Sequence, residues 1–408
     1  MRVLCTVSGW PAHWFPMVPV GWALRAAGHE VRVACPPDQA AAVAAAGLVP
    51  VPVLGALDMT FLLRYANLWA ARAGTWPYPW APLHPLTGEA VDLASFDLDA
   101  FADTAKRRIA TETEAGFAAA LGYARRFRPD LVLHDRLSAD GLLAARVLGV
   151  PAVAHLWGPV GTDESDGELY PLPVDHTRAF PRHGVGDLNA DALRHVVDPC
   201  PPGLRPPIRG TRLDVRYQPY NGPGRPAELP PPGDRPRVCV VWSNSMSRMY
   251  GAGAYLVPSV VRALAELDVE VVLPAHPDDV ARLGELPERV RVLPATPLHL
   301  LLPGCAAVVH HGGAGCAMTA LAAGVPQLAL TFGAEQRAIG RRVTATGAGL
   351  DVAGHLADAA RIRDAVRELL DDPRYPAAAA ELADRNAARP TVAALATTLR
   401  ELAAVPVA

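Results

Sequence analysis

The stretch VVHHGGAGCAMT, residues 308–319, sets two histidines and three glycines at the end of an apolar run. The run predicts a strand, and the residues that follow from Ala314 predict a helix. Glycines let backbone N–H groups approach a ligand closely, and a helix N-terminus offers unpaired donors at the positive end of its dipole. The stretch therefore indicates either a tight turn that contains histidine or a cradle for an anion such as phosphate.

Two familiar glycine-rich nucleotide loops are absent from the sequence. The quoted stretch lacks the lysine and the G-x-x-x-x-G-K spacing of a P-loop, which disfavours nucleotide hydrolysis. The first strand–helix loop, SGWPAHWF at residues 8–15, lacks G-x-G-x-x-G, which disfavours a nicotinamide oxidoreductase.

The stretch is one unit in a repeated alternation of apolar strands and helices, which indicates parallel sheets covered on both faces. The alternation occurs on both sides of Pro199–Pro236, where twelve prolines exclude regular helix and central strand. Strands are predicted at Val3–Val7, Val31–Ala34, Leu131–Leu133, Ala152–Ala154, Val238–Val241, Val269–Leu273, Val290–Leu293, Ala306–Val309 and Gln327–Leu330. Helices are predicted at Pro16–Ala27, Glu114–Arg126, Ala139–Leu148, Leu256–Leu267, Ala314–Ala322, Glu335–Thr346 and from Arg361 onwards.

A chain of 408 residues is expected to form two domains. We predict doubly wound α/β domains at residues 1–198 and 237–385, a linker at 199–236, and a C-terminal helix within 386–408 as a candidate to pack back on the first domain. Between Gly55 and Asp103 the alternation fails, and Trp, Tyr and Pro are common, as in WPYPW at residues 76–80. Such an irregular insert is either a wall for a bulky apolar ligand or a surface flap, and both interpretations stay open.

Composition narrows the partners and the compartment. The net charge is −3 and basic residues are scattered, so neither nucleic acid nor an anionic membrane is an expected partner. Six cysteines without a CxxC pair fit reduced, buried thiols in the cytoplasm. The N-terminus MRVLCTVSGW is not a signal-peptide pattern, and no apolar run reaches the roughly 18 residues of a membrane span.

Four longer stretches resemble one enzyme family. Residues 310–350, HHGGAGCAMTALAAGVPQLALTFGAEQRAIGRRVTATGAGL, resemble the donor-binding region of bacterial natural-product glycosyltransferases, which move a sugar from a nucleoside diphosphate onto an antibiotic scaffold. Residues 1–37 resemble the acceptor side of that family. RLDVRYQPYNG at 212–222 and RPRVCVVW at 235–242 resemble macrolide deoxyaminosugar transferases. The resemblance covers most of the chain and is weakest at 55–103. It implies a GT-B fold, which is two Rossmann-like domains with the active site in the cleft between them.

The resemblance assigns the donor site to the second domain. It implies that His311 and the amides around Gly313, Gly315 and Cys316 hold the pyrophosphate, although the family usually has Thr or Ser where Cys316 stands. Ser245 keeps a hydroxyl for a phosphate, although Ser243 replaces a common glycine. Further donor contacts fall on Glu335 and Gln336 for the sugar hydroxyls, and on Thr296 and Leu298 for the base. The alternative for Glu335 is an exposed acidic residue at a helix start.

The resemblance also implies a catalytic base. An alcohol needs a base to become a nucleophile, and histidine is suited to that near neutral pH. His13 matches the family's catalytic histidine, with Ala12 in place of the usual glycine. Asp135, or alternatively Asp103, would orient the ring, as carboxylates do in hydrolase triads. In-line attack would invert the anomeric carbon, and the pyrophosphate site would stabilise the leaving group.

No metal or separate cofactor is expected. Asp97-Leu98-Asp99 has the DxD form used elsewhere to hold Mg²⁺, but no strand precedes it, and we interpret it as a solvated acidic stretch. No group of His, Cys and Asp has the spacing of a metal site.

The sequence thus predicts an inverting, metal-independent glycosyltransferase that uses a dTDP-deoxysugar, with a UDP-sugar as second choice. The acceptor would be large, apolar and polyketide-like, and its side of the cleft would be lined by Trp10, Trp14, Phe15, Trp76 and Trp80. A sugar-nucleotide epimerase and a non-catalytic partner protein with the same fold are the alternatives. Some relatives act only with a helper resembling a cytochrome P450, for which Pro16–Ala27 is a candidate docking surface. The helper and a homodimer both stay open.

Overall fold

Each half of the chain is built around one parallel β-sheet. The computed structural model describes residues 1–55, 58–169, 172–226, 229, 233–243, 245–275, 280 and 283–405. The first sheet has seven strands in the order β3-β2-β1-β4-β5-β6-β7, and the second has six in the order β10-β9-β8-β11-β12-β13. The order of each sheet reverses beside its first strand, and such a switch point places a ligand crevice at the carboxyl ends of the strands.

The strands are short and mostly buried, as parallel sheets between helical layers require. They are β1 (Arg2–Thr6), β2 (Glu30–Ala34), β3 (Pro50–Val51), β4 (Leu131–Asp135), β5 (Ala152–His155), β6 (His195–Asp198), β7 (Thr211–Asp214), β8 (Arg237–Val241), β9 (Glu270–Leu273), β10 (Val290–Val292), β11 (Ala307–His310), β12 (Gln327–Thr331) and β13 (Gly349–Ala353).

Helices connect the strands and cover both faces of each sheet. In the described ranges they are α1 (Pro11–Trp14), α2 (Val18–Ala26), α3 (Ala40–Ala45), α4 (Met59–Arg72), α5 (Leu98–Phe127), α6 (Ala139–Leu148), α7 (Ala179–Arg182), α8 (Ser245–Tyr250), α9 (Val257–Ala265), α10 (Leu298–Leu301), α11 (Ala314–Ala323), α12 (Ala334–Ala345), α13 (Ala359–Asp371), α14 (Arg374–Ala387) and α15 (Val392–Ala403). Among these helices, none has the length and apolar character needed to cross a membrane.

The insert at 55–103 contains the helix α4 and the start of α5, but residues 73–97 between them are irregular, so the expectation of an irregular segment holds only for its middle. Asp58 caps α4 by accepting the N–H of Thr60, and Asp97 caps α5 by accepting the N–H of Ala100. Asp97 is therefore the helix cap of α5, the role that aspartate commonly fills, and Asp99 pairs with Arg72 at 2.8 Å. The prolines and tryptophans of residues 76–80 lie between the two helices and interrupt the apolar periodicity from which helices are predicted.

The proline-rich segment also differs from a simple linker. The strand β7 lies inside the predicted linker and pairs in parallel with β6, so the first sheet extends to Asp214. An edge strand needs hydrogen bonds on one side only, which lets it stand among prolines. At the other end of the chain, α15 lies against α2, with Leu395 and Leu399 buried in the core of the first sheet.

Two sets of contacts join the halves beside the cleft. The insert reaches the second half, where the indole N–H of Trp80 donates to the carbonyl of Tyr250 at 2.6 Å. Three arginines of α12 pair with the acidic segment after β5. The pairs are Arg342–Glu164 at 2.6 Å, Arg337–Glu168 at 2.7 Å and Arg341–Asp166 at 3.6 Å. The carboxylate of Glu164 is almost fully buried, so this pair is a fixed part of the interface.

Candidate functional site

The glycines between β11 and α11 form a turn that larger residues would obstruct. Gly312 has a φ of 79°, and a Cβ there would lie 2.7 Å from Cγ2 of Thr331. A Cβ on Gly313 would lie 2.5 Å from Nε2 of His311, whereas one on Gly315 would meet nothing within 4 Å. Gly313 is the N-cap of α11 and no side chain caps it. The first N–H groups of the helix are therefore available to an anion.

The two histidines of the turn have different roles. His310 is fully buried; its Nδ1 accepts the N–H of Gly312 at 2.9 Å, and its Nε2 donates to Oε1 of Gln327 at 2.9 Å. It therefore holds the turn in shape. His311 faces Gly313 through Nε2, while its Nδ1 is buried without a described partner. An unpaired buried nitrogen favours the tautomer with the proton on Nε2, which makes that nitrogen a donor toward the turn.

Two further predicted phosphate contacts adjoin this turn. The strands β8 and β11 are neighbours, with Val241 opposite His310, so the loop after β8 lies beside the glycines. Ser243 and Ser245 share a hydrogen bond of 2.7 Å between their hydroxyls, and Asn244 between them lies outside the described residues. Burial raises the pKa of Cys316 to about 12, so its thiol stays protonated.

The predicted sugar-binding pair stands at the start of α12, which follows the next strand, β12. A Cβ on Gly333 would lie 2.2 Å from the hydroxyl of Tyr250 and 2.5 Å from Oε1 of Gln336, so these two polar groups converge on one glycine. Burial raises the pKa of Tyr250 to about 12, which keeps it a neutral donor. Tyr250 was not predicted from the sequence, since it lies within a helix and away from a strand end.

Both carboxylate oxygens of Glu335 are held by residues of the first half. The indole N–H of Trp157 donates to Oε1 at 3.0 Å, and Nη2 of Arg136 lies 3.6 Å from Oε2. A Cβ on Gly158 would lie 2.8 Å from that of Ala314, so the loop after β5 also touches the start of α11. Glu335 is thus a partly exposed residue in the first turn of α12, and it also contacts the first half.

Trp157 also contacts His13, the candidate base of the first half. Its ring stacks on the indole at a centroid distance of 3.9 Å and an angle of 14°. Burial, assisted by the positive charge of Arg136, lowers the pKa of His13 to about 3. The imidazole is therefore neutral at physiological pH, the state that a general base requires. Trp157 thus contacts both the candidate base and the candidate sugar carboxylate.

The predicted carboxylate partner of His13 does not touch its ring. Asp135 is fully buried and accepts the N–H groups of Ser8 at 2.5 Å, Leu137 at 2.8 Å and Ser138 at 2.9 Å. The group beside His13 is the Ser8 hydroxyl, 3.5 Å from Nδ1. Asp135 therefore fixes the loop that carries Ser8, and Nε2 is the nitrogen left for catalysis. The rival, Asp103, is exposed on α5.

The predicted acceptor aromatics fall into two groups. Trp14 is only 1% exposed in the core of the first sheet, so assigning it to the acceptor was wrong. Phe15 is partly exposed and packs edge-on against Tyr220 at 5.0 Å. Both follow His13 on a helical turn that directs them to the sheet. Trp10 is partly buried 6.2 Å from His13 and packs on the core of the second half.

The insert supplies the other two aromatics. Trp76 and Trp80 line an open groove of about 590 Å³ within the insert, and both indole N–H groups donate to backbone carbonyls. Of the two predicted base contacts, Leu298 is buried in the core and could act only through its backbone, and Thr296 is nearly buried before Pro297.

Five histidines with strongly lowered pKa values predict a stability that falls in acid. Their pKa values are lowered by burial to about 4 or about 3; they are His13, His134, His155, His310 and His311. Each folded pKa lies below the unfolded one, so the stabilisation is present above pH 6.5 and lost as pH falls towards 4. Each ring changes the free energy of unfolding by at most about 1.4 kcal/mol per pH unit.

Three carboxyl groups oppose this trend, because burial raises the pKa of Asp135, Asp351 and Asp140, the last to about 6. They are three groups against five. Urea unfolding between pH 7 and pH 5 should therefore show a steep loss of stability. A flat profile over that range would contradict the neutral state of these histidines in the folded protein.

Besides Tyr250, the sequence did not point to Trp157 and Arg136 as site residues. Trp157 and Arg136 each lie shortly after the carboxyl end of a predicted strand, where ligands bind in parallel sheets. That position was the signal in the sequence that could have identified them. Within the ranges that the structure describes, no group of three or more His, Cys, Asp or Glu side chains is placed to hold a metal ion.

Comparisons with known proteins agree on one family. The N-terminal domain of the erythromycin biosynthesis protein CIII-like family matches residues 22–74 and 102–242. The C-terminal domain of that family matches residues 258–402. Aklavinone 7-beta-L-rhodosaminyltransferase of Streptomyces galilaeus is 34% identical, over 99% of this chain and 96% of its own.

Two solved structures are similar over nearly the whole length of this chain. The glycosyltransferase VinC in complex with DTDP is 29% identical with a TM-score of 0.75, over 99% of each chain. The spinosyn rhamnosyltransferase SpnG complexed with spinosyn aglycone is 28% identical with a TM-score of 0.76, over 98% of this chain and 100% of that one. The chain therefore belongs to the erythromycin biosynthesis protein CIII-like family, and it is a natural-product glycosyltransferase with the GT-B fold.

Proposed function

We propose that this glycosyltransferase moves a deoxysugar from a dTDP-sugar to a large apolar natural-product acceptor, without a metal ion and with inversion at the anomeric carbon. The observation that carries the proposal is the position of Trp157, which stacks on His13 and donates to Glu335. One side chain thus joins a candidate base of the first domain to a candidate sugar ligand of the second. DTDP in the structure of VinC and the aglycone in that of SpnG support the two substrate classes.

The proposed reaction assigns a task to each domain. The neutral His13 takes the proton of an acceptor hydroxyl through Nε2, and the oxygen attacks the anomeric carbon from the face opposite the diphosphate. The bond from that carbon to the diphosphate oxygen breaks, and both of its electrons stay on the diphosphate. The N–H groups at the start of α11 and the ring of His311 stabilise the new charge, a task that a metal ion would otherwise perform.

The acceptor approaches from the side of the first domain. Trp10 lies beside His13 at the cleft, and Trp76 and Trp80 add an apolar groove on the insert. Aromatic walls with few polar groups suit a polyketide-like scaffold, so we keep Trp10, Trp76 and Trp80 as acceptor contacts.

A nucleotide screen tests the donor class. A ligand present at about 100 times its Kd adds about 2.7 kcal/mol of stability to the folded protein. Thermal shifts with dTDP, UDP, GDP and NAD at equal concentration should therefore be largest for dTDP, the nucleotide that we expect to bind most tightly. A shift with NAD alone would overturn the proposal.

Transfer from a dTDP-sugar should also persist in excess EDTA, and strict dependence on Mg²⁺ would contradict a charge stabilised by N–H groups and histidine.

A further inference from the structure

A buried arginine stands at the donor-sugar site, and the reaction as proposed gives it no role. Arg136 follows the last residue of β4, and its side chain is only 3% exposed. Most arginines of this chain lie at the surface, because burial of an unpaired guanidinium is strongly unfavourable. A cation in this position therefore needs a partner, and its contacts identify one.

The guanidinium of Arg136 is fixed in place. Its Nη1 donates to the carbonyl of Gly161 at 2.6 Å, and its Cζ lies 4.3 Å from the ring centre of Trp157. Its Nε is buried and has no hydrogen-bond partner among the described residues. Cation–π stacking and a short bond to the backbone leave the group little freedom to swing away from the cleft.

The charge of Arg136 is directed at Glu335. Their closest atoms, Nη2 and Oε2, are 3.6 Å apart, and Trp157 occupies the other carboxylate oxygen. The two other carboxylates near Arg136 are already satisfied, since Asp135 accepts three backbone N–H groups and Glu164 pairs with Arg342. Of these three, Glu335 is the one with an appreciably exposed side chain, at 32%.

We propose that Arg136 is a specificity-determining residue that neutralises Glu335, so that the donor-sugar site accepts a deoxysugar with hydroxyl substituents and discriminates against one with a protonated amine. The proposal rests on the proposed function, because it takes Glu335 to be a sugar ligand. A sugar hydroxyl can donate to a free lone pair of Glu335. An ammonium group would meet a carboxylate whose charge is already compensated by a fixed cation, so it gains less attraction from Glu335 and is repelled by Arg136. The influence of Arg136 across the site is also visible at His13, whose pKa it helps to lower.

A matched pair of donors tests this inference. We would measure the affinity of the protein for dTDP and for two dTDP-deoxyhexoses that differ only in a hydroxyl or an amine at one carbon. At pH 7 the hydroxyl donor should bind at least about tenfold more tightly than the amine donor. Raising the pH above the pKa of the sugar amine should narrow the gap, because the ligand then loses its charge. A purely structural role of Arg136 would not produce that pH response.

Two variants move the discrimination in opposite directions. Arg136→Gln removes the charge and keeps a donor for the Gly161 carbonyl, so the preference for the hydroxyl donor should fall. Glu335→Gln leaves the Arg136 charge uncompensated, so the preference should rise, and this variant serves if Arg136→Gln fails to fold. Arg146→Gln is the control, since Arg146 also donates to a backbone carbonyl, that of Val185, and lies outside the site.

The outcomes separate this inference from the proposed function. If dTDP binds and the wild type does not distinguish the two donors, the role of Arg136 is overturned and the proposed function stands. The same conclusion follows if discrimination is unchanged in both variants. If no dTDP compound binds, the proposed function fails and the inference fails with it.

Discussion

Replacing His13 by alanine is expected to lower turnover by about two to four orders of magnitude while the affinity for dTDP stays near that of the wild type. The expected loss is large because an alcohol is a poor nucleophile until a base removes its proton. The donor affinity should persist because the phosphate contacts lie on α11 of the other domain. Steady-state kinetics and calorimetry with dTDP measure the two quantities separately, and turnover retained within threefold would remove His13 as the base.

The control for His13 should be another histidine of the first domain. His176 is exposed in a loop, and His176→Ala should leave turnover unchanged. The pH profile adds a second readout. Burial lowers the pKa of His13 to about 3, so the base form persists above that pH, and the acid limb of kcat/KM should lie well below 6.5. An acid limb at pH 6.5 would instead indicate a ring with an ordinary pKa.

The strand and helix pattern was predictable wherever apolar periodicity was strong. The helix Ala139–Leu148 has the predicted bounds. The ends of β8, β11 and β12 lie within one residue of the predicted ends. Four strands were missed. The strands β3, β7 and β13 are sheet edges with few fully buried positions, and β6 is buried but only four residues long, with His195 and Asp198 at its ends. The insert was misjudged because α4 is flanked by prolines and aromatics, whose contacts with Tyr250 and Phe332 form only in the folded protein.

The candidate site was predictable in its parts but not in its connections. The glycines and His311 follow from a motif at the end of a strand, and His13 follows from its match to the catalytic histidine of the family that the sequence resembles. The contacts of Trp157 with His13 and Glu335 join residues far apart in sequence, and no local pattern encodes them. The same limit explains Asp135, whose place at a strand end was right but whose oxygens are taken by backbone N–H groups. The sequence raised an epimerase and a non-catalytic partner as alternatives, and none of the three relatives named above is either.

A second large effect is expected from His311→Ala, which should weaken dTDP binding by about ten- to hundredfold. A hydrogen bond to a charged group contributes about 1.5–3 kcal/mol, and Nε2 of His311 is the ring nitrogen that faces the glycine turn. Because the ring acts on phosphate alone, the affinity for thymidine should not change. Calorimetry with both ligands tests this, and an equal loss for thymidine would show that the variant damages the domain rather than the phosphate contact.

Two glycine variants locate the diphosphate within the same turn. Gly313→Ala would place a Cβ 2.5 Å from Nε2 of His311 and displace the ring, so it should weaken dTDP binding as His311→Ala does. A Cβ on Gly315 meets no protein atom within 4 Å, so Gly315→Ala should fold normally. It should nevertheless weaken dTDP binding, because the open space beside Gly315 is where we place the diphosphate. Full affinity in Gly315→Ala together with full affinity in His311→Ala would exclude this turn as the phosphate site.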